Sequence, residues 1–476
     1  MGAVTHLWFR VAEMGLFASI LKSFMPGGGW QKKKKRRGAV RAGDGFRPSG
    51  ETGDGKVVLA NLFGSGGKEV TDRLGGMLSQ ETTIETVVSS QTLRQNLRLG
   101  LIERLLLVHE EGDRLLKDED ADLLIWGEME DMGTVARLHF LSASGAQDGA
   151  PGTFGMIDTL DLPVPLPDEA GATVRAVTLA ALIPSAGGSR KTLAERLVAH
   201  LHDAPKVLDA LPEDAPEECR IMIENALGNA CATSYRFGVK KAFSEAMQHY
   251  EAAEKLIDAQ AAPMAWAVVN THLGLLQEAE AKASRNPESL LAAIKRYDGI
   301  AKTLSRDQHA SDWALAHMRR AMAYYKLAAV QPAQAQVHLK TSASAFEEAL
   351  TVYDRNSMPA RWAEVMNHYG VAQMALGGHG RADAILQQSI STFRKALEVR
   401  KRETDPLLWA QTANNLGAAC FALAKQTGEE YLLEEAAYYF QGAVQEYRKS
   451  RGQKKRADVI TKNLMRVQQL LSTDAA

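Results

Sequence analysis

The chain has 476 residues, 45% of them hydrophobic and 24% charged, with a formal charge of −1, the balance of an ordinary soluble protein with room for two or more domains. The charge is unevenly laid out: residues 1–50 hold ten Lys and Arg against two acids, so the rest of the chain is about as negative as that arm is positive, and a nucleic-acid partner has little electrostatic support. Cys219, Cys231 and Cys420 have neither C-x-x-C nor metal-ligand spacing, which points to reduced thiols in the cytoplasm.

Leu7 to Met25 is apolar but interrupted by Arg10, Glu13 and Lys22, too charged for a membrane span. It precedes the run Lys32-Lys33-Lys34-Lys35-Arg36-Arg37, whereas a secretory signal places its basic cluster before the apolar stretch. Residues 7–37 therefore read either as a peripheral contact with an anionic membrane, at its inner face, or as a disordered extension ahead of a start at Met14. Gly38 to Gly55 reads as a flexible linker, so residues 1–55 are an arm outside the folded domains.

Residues 56–190 read as a small α/β domain with its trailing helices. Val57 to Leu62 is a strand, Lys68 to Gln80 has helical spacing, Thr83 to Val88 is a second strand, and Leu93 to Leu116 is strongly helical. Ala121 to Glu128 is a buried strand entering a turn, with Val135 to Ser142 as its hairpin partner. Right-handed crossovers make the first three strands a parallel or mixed sheet. Asp161 to Pro167, with prolines at 163, 165 and 167, is an extended edge or linker. Val174 to Ile183 and Leu193 to Leu201 are helices, the second placed to pack against the first helical repeat.

Residues 191–476 carry an internal repeat. An aromatic ring recurs at Tyr250, Tyr297, Phe346, Phe393 and Phe440, in steps of 47, 49, 47 and 47. Small residues stand four before it, at Ala246, Ala293, Ser342, Ser389 and Ala436, and Ala or Ile three after it, at Ala253, Ile300, Ala349, Ala396 and Ala443. That spacing is one face of a helix. A second series opens the preceding helix at Trp266, Trp313, Trp362 and Trp409, followed by Gly274, Gly370 and Gly417. Pro263, Pro359 and Pro406 suit the first turn of that helix, and Asp405 is a natural N-cap.

These residues resemble the tetratricopeptide repeat, whose helix A carries Leu-Gly and whose helix B carries Ala, aromatic, Ala. The period departs from the family's usual 34 residues, and the added length falls at both junctions of the hairpin, which predicts helices about one to two turns longer. The strand Ala121 to Glu128 and its hairpin resemble the amino-terminal α/β domain of the TolB family over residues 56–145, and the combination with long repeats is similar to uncharacterised bacterial cytoplasmic proteins. The resemblance implies an α+β multidomain chain: a small α/β sandwich-type domain, then an all-α right-handed tetratricopeptide-like superhelix. It brings no catalytic residue with it.

No motif demands an enzyme, a cofactor or a metal. The segment Gly64 to Glu69 lies between strand and helix but fails both the P-loop and the G-x-G-x-x-G pattern, and a tight turn accounts for it. His200 and His202 are alternate residues on a helix, a poor ligand pair, and read as solvated. The tryptophans read as packing wedges between hairpins. Partner-binding candidates are the polar residues about a turn beyond them, Asn270, His317, Asn367, Asn414 and Asn415, because an amide can both donate to and accept from an extended peptide. The expectation is a non-enzymatic protein-interaction scaffold that binds partner segments in the groove of the array, self-association being open to the α/β domain. The alternatives are a ligand-sensing regulator using the α/β domain and a membrane-surface assembly factor anchored by the arm.

Overall fold

The computed structural model describes residues 54–93, 101–130, 133–144, 149–155, 158–380, 382–450 and 452–474. The apolar arm, the polybasic run and most of the linker lie outside the described residues. What is described is an α+β protein: a five-stranded mixed sheet followed mainly by helices, divided into one compact unit closing at Ser284 and a second opening at Arg285.

In the first unit the sheet order is β2-β1-β3-β4-β5. Strand β1 (Lys56–Ala60) is parallel to β2 (Glu85–Ser89) and β3 (Leu123–Glu130). Strand β4 (Val135–Ser142) is antiparallel to β3 and to β5 (Thr159–Pro163). Of the proline-rich segment Asp161 to Pro167, only the part through Pro163 is strand, within the edge strand β5, and Val164 to Pro167 leaves the sheet. Helix α1 (Gly67–Ser79) joins β1 to β2, and α2 (Leu101–Asp118) joins β2 to β3 in the opposite direction across β1. One crossover hand then puts the two helices on opposite faces. The cores agree: Val70, Leu74 and Leu78 of α1 pack with Val57, Leu59, Leu123 and Ile125, while Val108, Leu115 and Leu116 of α2 pack with Val58, Ala60, Leu124 and Trp126.

The α1 face is also covered by α3 (Ala170–Leu182) and α5 (Glu217–Arg236), with α4 (Arg190–Leu201) lying against both. Helix α5 serves two cores. Ile223, Ala226, Leu227 and Ala230 join the sheet's core, and Gly228 faces the ring of Tyr250 on α6 (Ala242–Leu256), where a Cβ would come within 2.5 Å. The α/β layers therefore pass into the first helical hairpin through a shared helix, and the unit closes with α7 (Pro263–Ser284).

The second unit runs α8 (Pro287–Thr303), α9 (Ala310–Val330), α10 (Ala335–Leu350), α11 (Pro359–Gly380), α12 (Asp383–Leu397), α13 (Pro406–Thr427), α14 (Glu430–Lys449) and α15 (Lys454–Asp474), each packed on the next. Pro359 and Pro406 are the first residues of their helices, as Pro263 is of α7. Asp405 holds the N-cap position of α13, but its side chain makes no cap bond and instead accepts from Thr404 Oγ1 at 2.9 Å. The aromatic series is fully buried from Tyr250 to Phe440, with the small residues beside it. A Cβ on Gly370 would lie 2.7 Å from the Phe393 ring and one on Gly417 3.1 Å from Phe440, so the glycine admits the ring. Where serine replaces alanine on helix B it ties the hairpin: Ser342 Oγ donates to the Ala321 carbonyl and Ser389 Oγ to that of Gly370, each at 2.8 Å.

Candidate functional site

The five polar candidates do not share one helix face. Asn270 and His317 stand four residues after their tryptophans, Asn367 and Asn414 five, and Asn415 six, and each residue turns the direction by about 100°. Asn270 is wholly buried, and its Nδ2 donates to Glu254 Oε1 at 3.1 Å and to the Trp266 carbonyl at 3.0 Å. His317 is buried against the Trp313 ring and accepts from Arg320 Nη2 at 3.1 Å. Burial, with the Arg320 charge beside it, pushes its pKa down to about 4, so the ring is neutral.

The other three come together. Asn415 Nδ2 on α13 donates to Asn367 Oδ1 on α11 at 3.0 Å, and Asn414 Nδ2 donates to Asn415 Oδ1 at 3.3 Å. Asn367 is buried, while Asn414, Asn415 and Gln411 are half-exposed. Helices α9, α11 and α13 touch one another in turn, so this amide row runs along a layer of A helices. A buried cation adjoins it: Arg400 Nη1 reaches Thr412 Oγ1 at 3.0 Å and Gln411 Oε1 at 3.3 Å. Burial pushes the pKa of His368 down, with Glu364 opposing the shift and Arg400 and Lys326 adding to it. The row therefore offers amide donors and acceptors beside positive charge.

The tryptophans are half-buried, and three wear an arginine. Arg306, Arg355 and Arg402, each seven residues earlier, lie over Trp313, Trp362 and Trp409 at 5.5, 5.7 and 4.8 Å from the ring centre. Each guanidinium also reaches the next helix B end: Arg306 to the Thr351 carbonyl, Arg355 to Glu398, Arg402 to Gln445 and Glu446. Behind Trp409, a Cβ on Gly442 would meet the indole at 2.6 Å. Guanidinium on one side and helix backbone on the other clamp the ring between hairpins. The arginine register was readable in the sequence, at the same 49- and 47-residue steps, yet only the stacking shows its use.

At the carboxyl ends of β1 and β3, where α/β sheets often bind ligands, the glycine segment is a knitted turn. Gly67 N donates to the Gly64 carbonyl, and Thr71 Oγ1 donates to Gly67 O while accepting from Leu62 N. A Cβ on Gly67 would lie 2.2 Å from Leu62 O, and Gly64 and Gly66 have φ of 110° and 77°, so the glycines serve the bend. The adjoining sheet face carries Glu128, Glu130 and Asp161 against Arg137, which binds Asp161 through Nη2 at 2.8 Å and Glu130 through Nη1 at 3.2 Å. Three carboxylates and Glu69 in the first turn of α1 make a poor phosphate cradle.

Two buried nodes tie distant segments. Asp158 takes His272 Nε2 at 2.8 Å, Asn225 Nδ2 at 3.1 Å and Gly155 N at 2.7 Å, holding the chain before β5 to α5 and α7. His200 is not solvated as expected: its Nε2 lies 2.6 Å from Glu81 Oε2, beside Arg196. Burial raises the Glu81 pKa, but hydrogen bonds from Thr83, His200 and Arg196 outweigh it and bring it to about 2. All three thiols are buried, and burial pushes Cys231 and Cys420 up to about 12. Among the described residues no three His, Cys, Asp or Glu are grouped to hold a metal ion, and no helix is long and apolar enough to cross a membrane. Compared with protein-family models and with curated proteins, the chain matched none.

Proposed function

We propose that the chain is a non-enzymatic interaction scaffold of tetratricopeptide-like hairpins, working in the cytoplasm, whose A-helix layer in residues 285–474 holds a segment of a partner protein. The amide row Asn367-Asn415-Asn414 carries the reading. Its inner member is buried and fixes the other two, so half-exposed amides stand preorganised with spare donors and acceptors. Gln411, held by Arg400, extends the row by one turn. The buried Arg400 beside Gln411 biases the face toward acidic or carbonyl-rich segments. Asn270 and Asn367, being buried, act as supports and not as contacts.

The test is quantitative affinity purification with Asn414→Ala combined with Asn415→Ala, beside a Gln441→Ala control on the exposed side of α14. Loss of the co-purified proteins from the double variant alone is the expected result. An unchanged set with the double variant would refute the groove.

A further inference from the structure

The last described helix, α15, presents exposed Lys and Arg side chains with exposed apolar ones between them. Helix α15 buries Ala457, Ile460 and Val467 against the rest of the core. One row of its exposed face is Lys455, Val459, Lys462, Arg466 and Leu470, spaced four, three, four and four, so that these side chains share one side of the helix. Val459 is 60% and Leu470 38% exposed. Lys455, Lys462 and Arg466 are exposed and make no ion pair among the described residues. Residues 452–474 hold Lys454, Lys455, Arg456, Lys462 and Arg466 against Asp458 and Asp474.

We infer that this stripe docks an acidic amphipathic helix of a partner protein. Charge selects the occupant: five cations against two acids repel a second α15 and the chain's own polybasic run alike. The exposed Val459 and Leu470 need an opposing apolar surface, which a nucleic acid lacks, and no aromatic side chain on α15 offers a base a stacking platform. A membrane helix sinks its apolar face into lipid, but the main apolar face of α15 is already spent on the core. The surface is separate from the A-helix row.

The probe is a synthetic three-heptad helix with Leu at its a and d positions and Glu at e and g, titrated against the full chain by fluorescence anisotropy. Saturable binding is expected, weakened about tenfold by K455E/K462E/R466E, weakened comparably when the peptide's leucines become serine, and unchanged by Asn414→Ala with Asn415→Ala. Circular dichroism of the triple variant should match the parent, since all three residues are exposed. Binding that ignores the triple reversal overturns the inference, as does equal binding of the serine peptide, which would leave a bare charge patch. So does preference for phosphatidylserine vesicles or a single-stranded oligonucleotide through the same three residues.

Discussion

In residues 54–284 the buried polar groups join segments far apart in the chain, Glu81 to His200 and Asp158 to His272 across 119 and 114 positions. In residues 285–474 the buried groups recur every 47 or 49 positions, and each ring packs between helices that are neighbours in sequence. The charge divides with them. Residues 51–284 hold 36 Asp and Glu against 20 Lys and Arg, whereas 285–476 hold 19 against 26. The first unit packs a core on each face of one sheet and adds long-range clasps, and the second is a sum of local interfaces. A defect should therefore spread through the first and stay local in the second.

The largest effects test that contrast directly. Arg137→Ala leaves Asp161, 1% exposed, without its cation, at a cost of about 3–5 kcal/mol. Hydrogen exchange should accelerate across β1 to β5 together while α13 and α14 stay protected. Phe393→Ala empties a wholly buried slot at a similar cost of about 3–5 kcal/mol. Its faster exchange should be confined to α11, α12 and α13. Sheet amides that loosened with Phe393→Ala, or β-strand amides that responded to Arg137→Ala one strand at a time, would break the comparison.

A smaller effect separates the units by pH. Asp312 is buried with neither carboxylate oxygen hydrogen-bonded, and burial pushes its pKa up to about 8. The unfolded carboxyl loses its proton near its ordinary value while the folded one keeps it, so this group's stabilisation is whole at low pH and is lost as pH rises toward about 8. Asp312→Asn should remove that slope and stabilise the second unit at neutral pH, by at most about 4 kcal/mol. A parent stability that stayed flat from about pH 4 to 8 would contradict it. The smallest expected change is Arg402→Ala, which uncovers Trp409 for about 0.5–1 kcal/mol. The melting temperature checks it, and a much larger drop would make the arginine clamp a main support.

The same contrast explains what was legible in the sequence. Periodicity reports local packing, so the buried faces of Tyr250 through Phe440 and the starts at Pro359 and Pro406 could be read directly. The alternation of strand and helix gave a small α/β layer and a parallel or mixed sheet, but the order in which the strands lie came only with the structure. The clasps could not be read, because nothing near His200 announces Glu81 and nothing near Asp158 announces His272. The amide candidates were half legible. Counting from each tryptophan already separates Asn270 and His317 from Asn367 and Asn414 by one residue, but the bond that fixes Asn415 to Asn367 depends on how two A helices approach.

The claim that the A-helix layer holds a partner segment is tested most directly by a photo-crosslinking amino acid placed in the living cell. One chain carries it at Ala418, half-buried on α13 one turn beyond Asn414, and another at Gln441, exposed on α14. Adducts from position 418 that vanish with Asn414→Ala and Asn415→Ala, and none from position 441, are the predicted result. Adducts from position 441 alone, or adducts from 418 that survive the double variant, would contradict it.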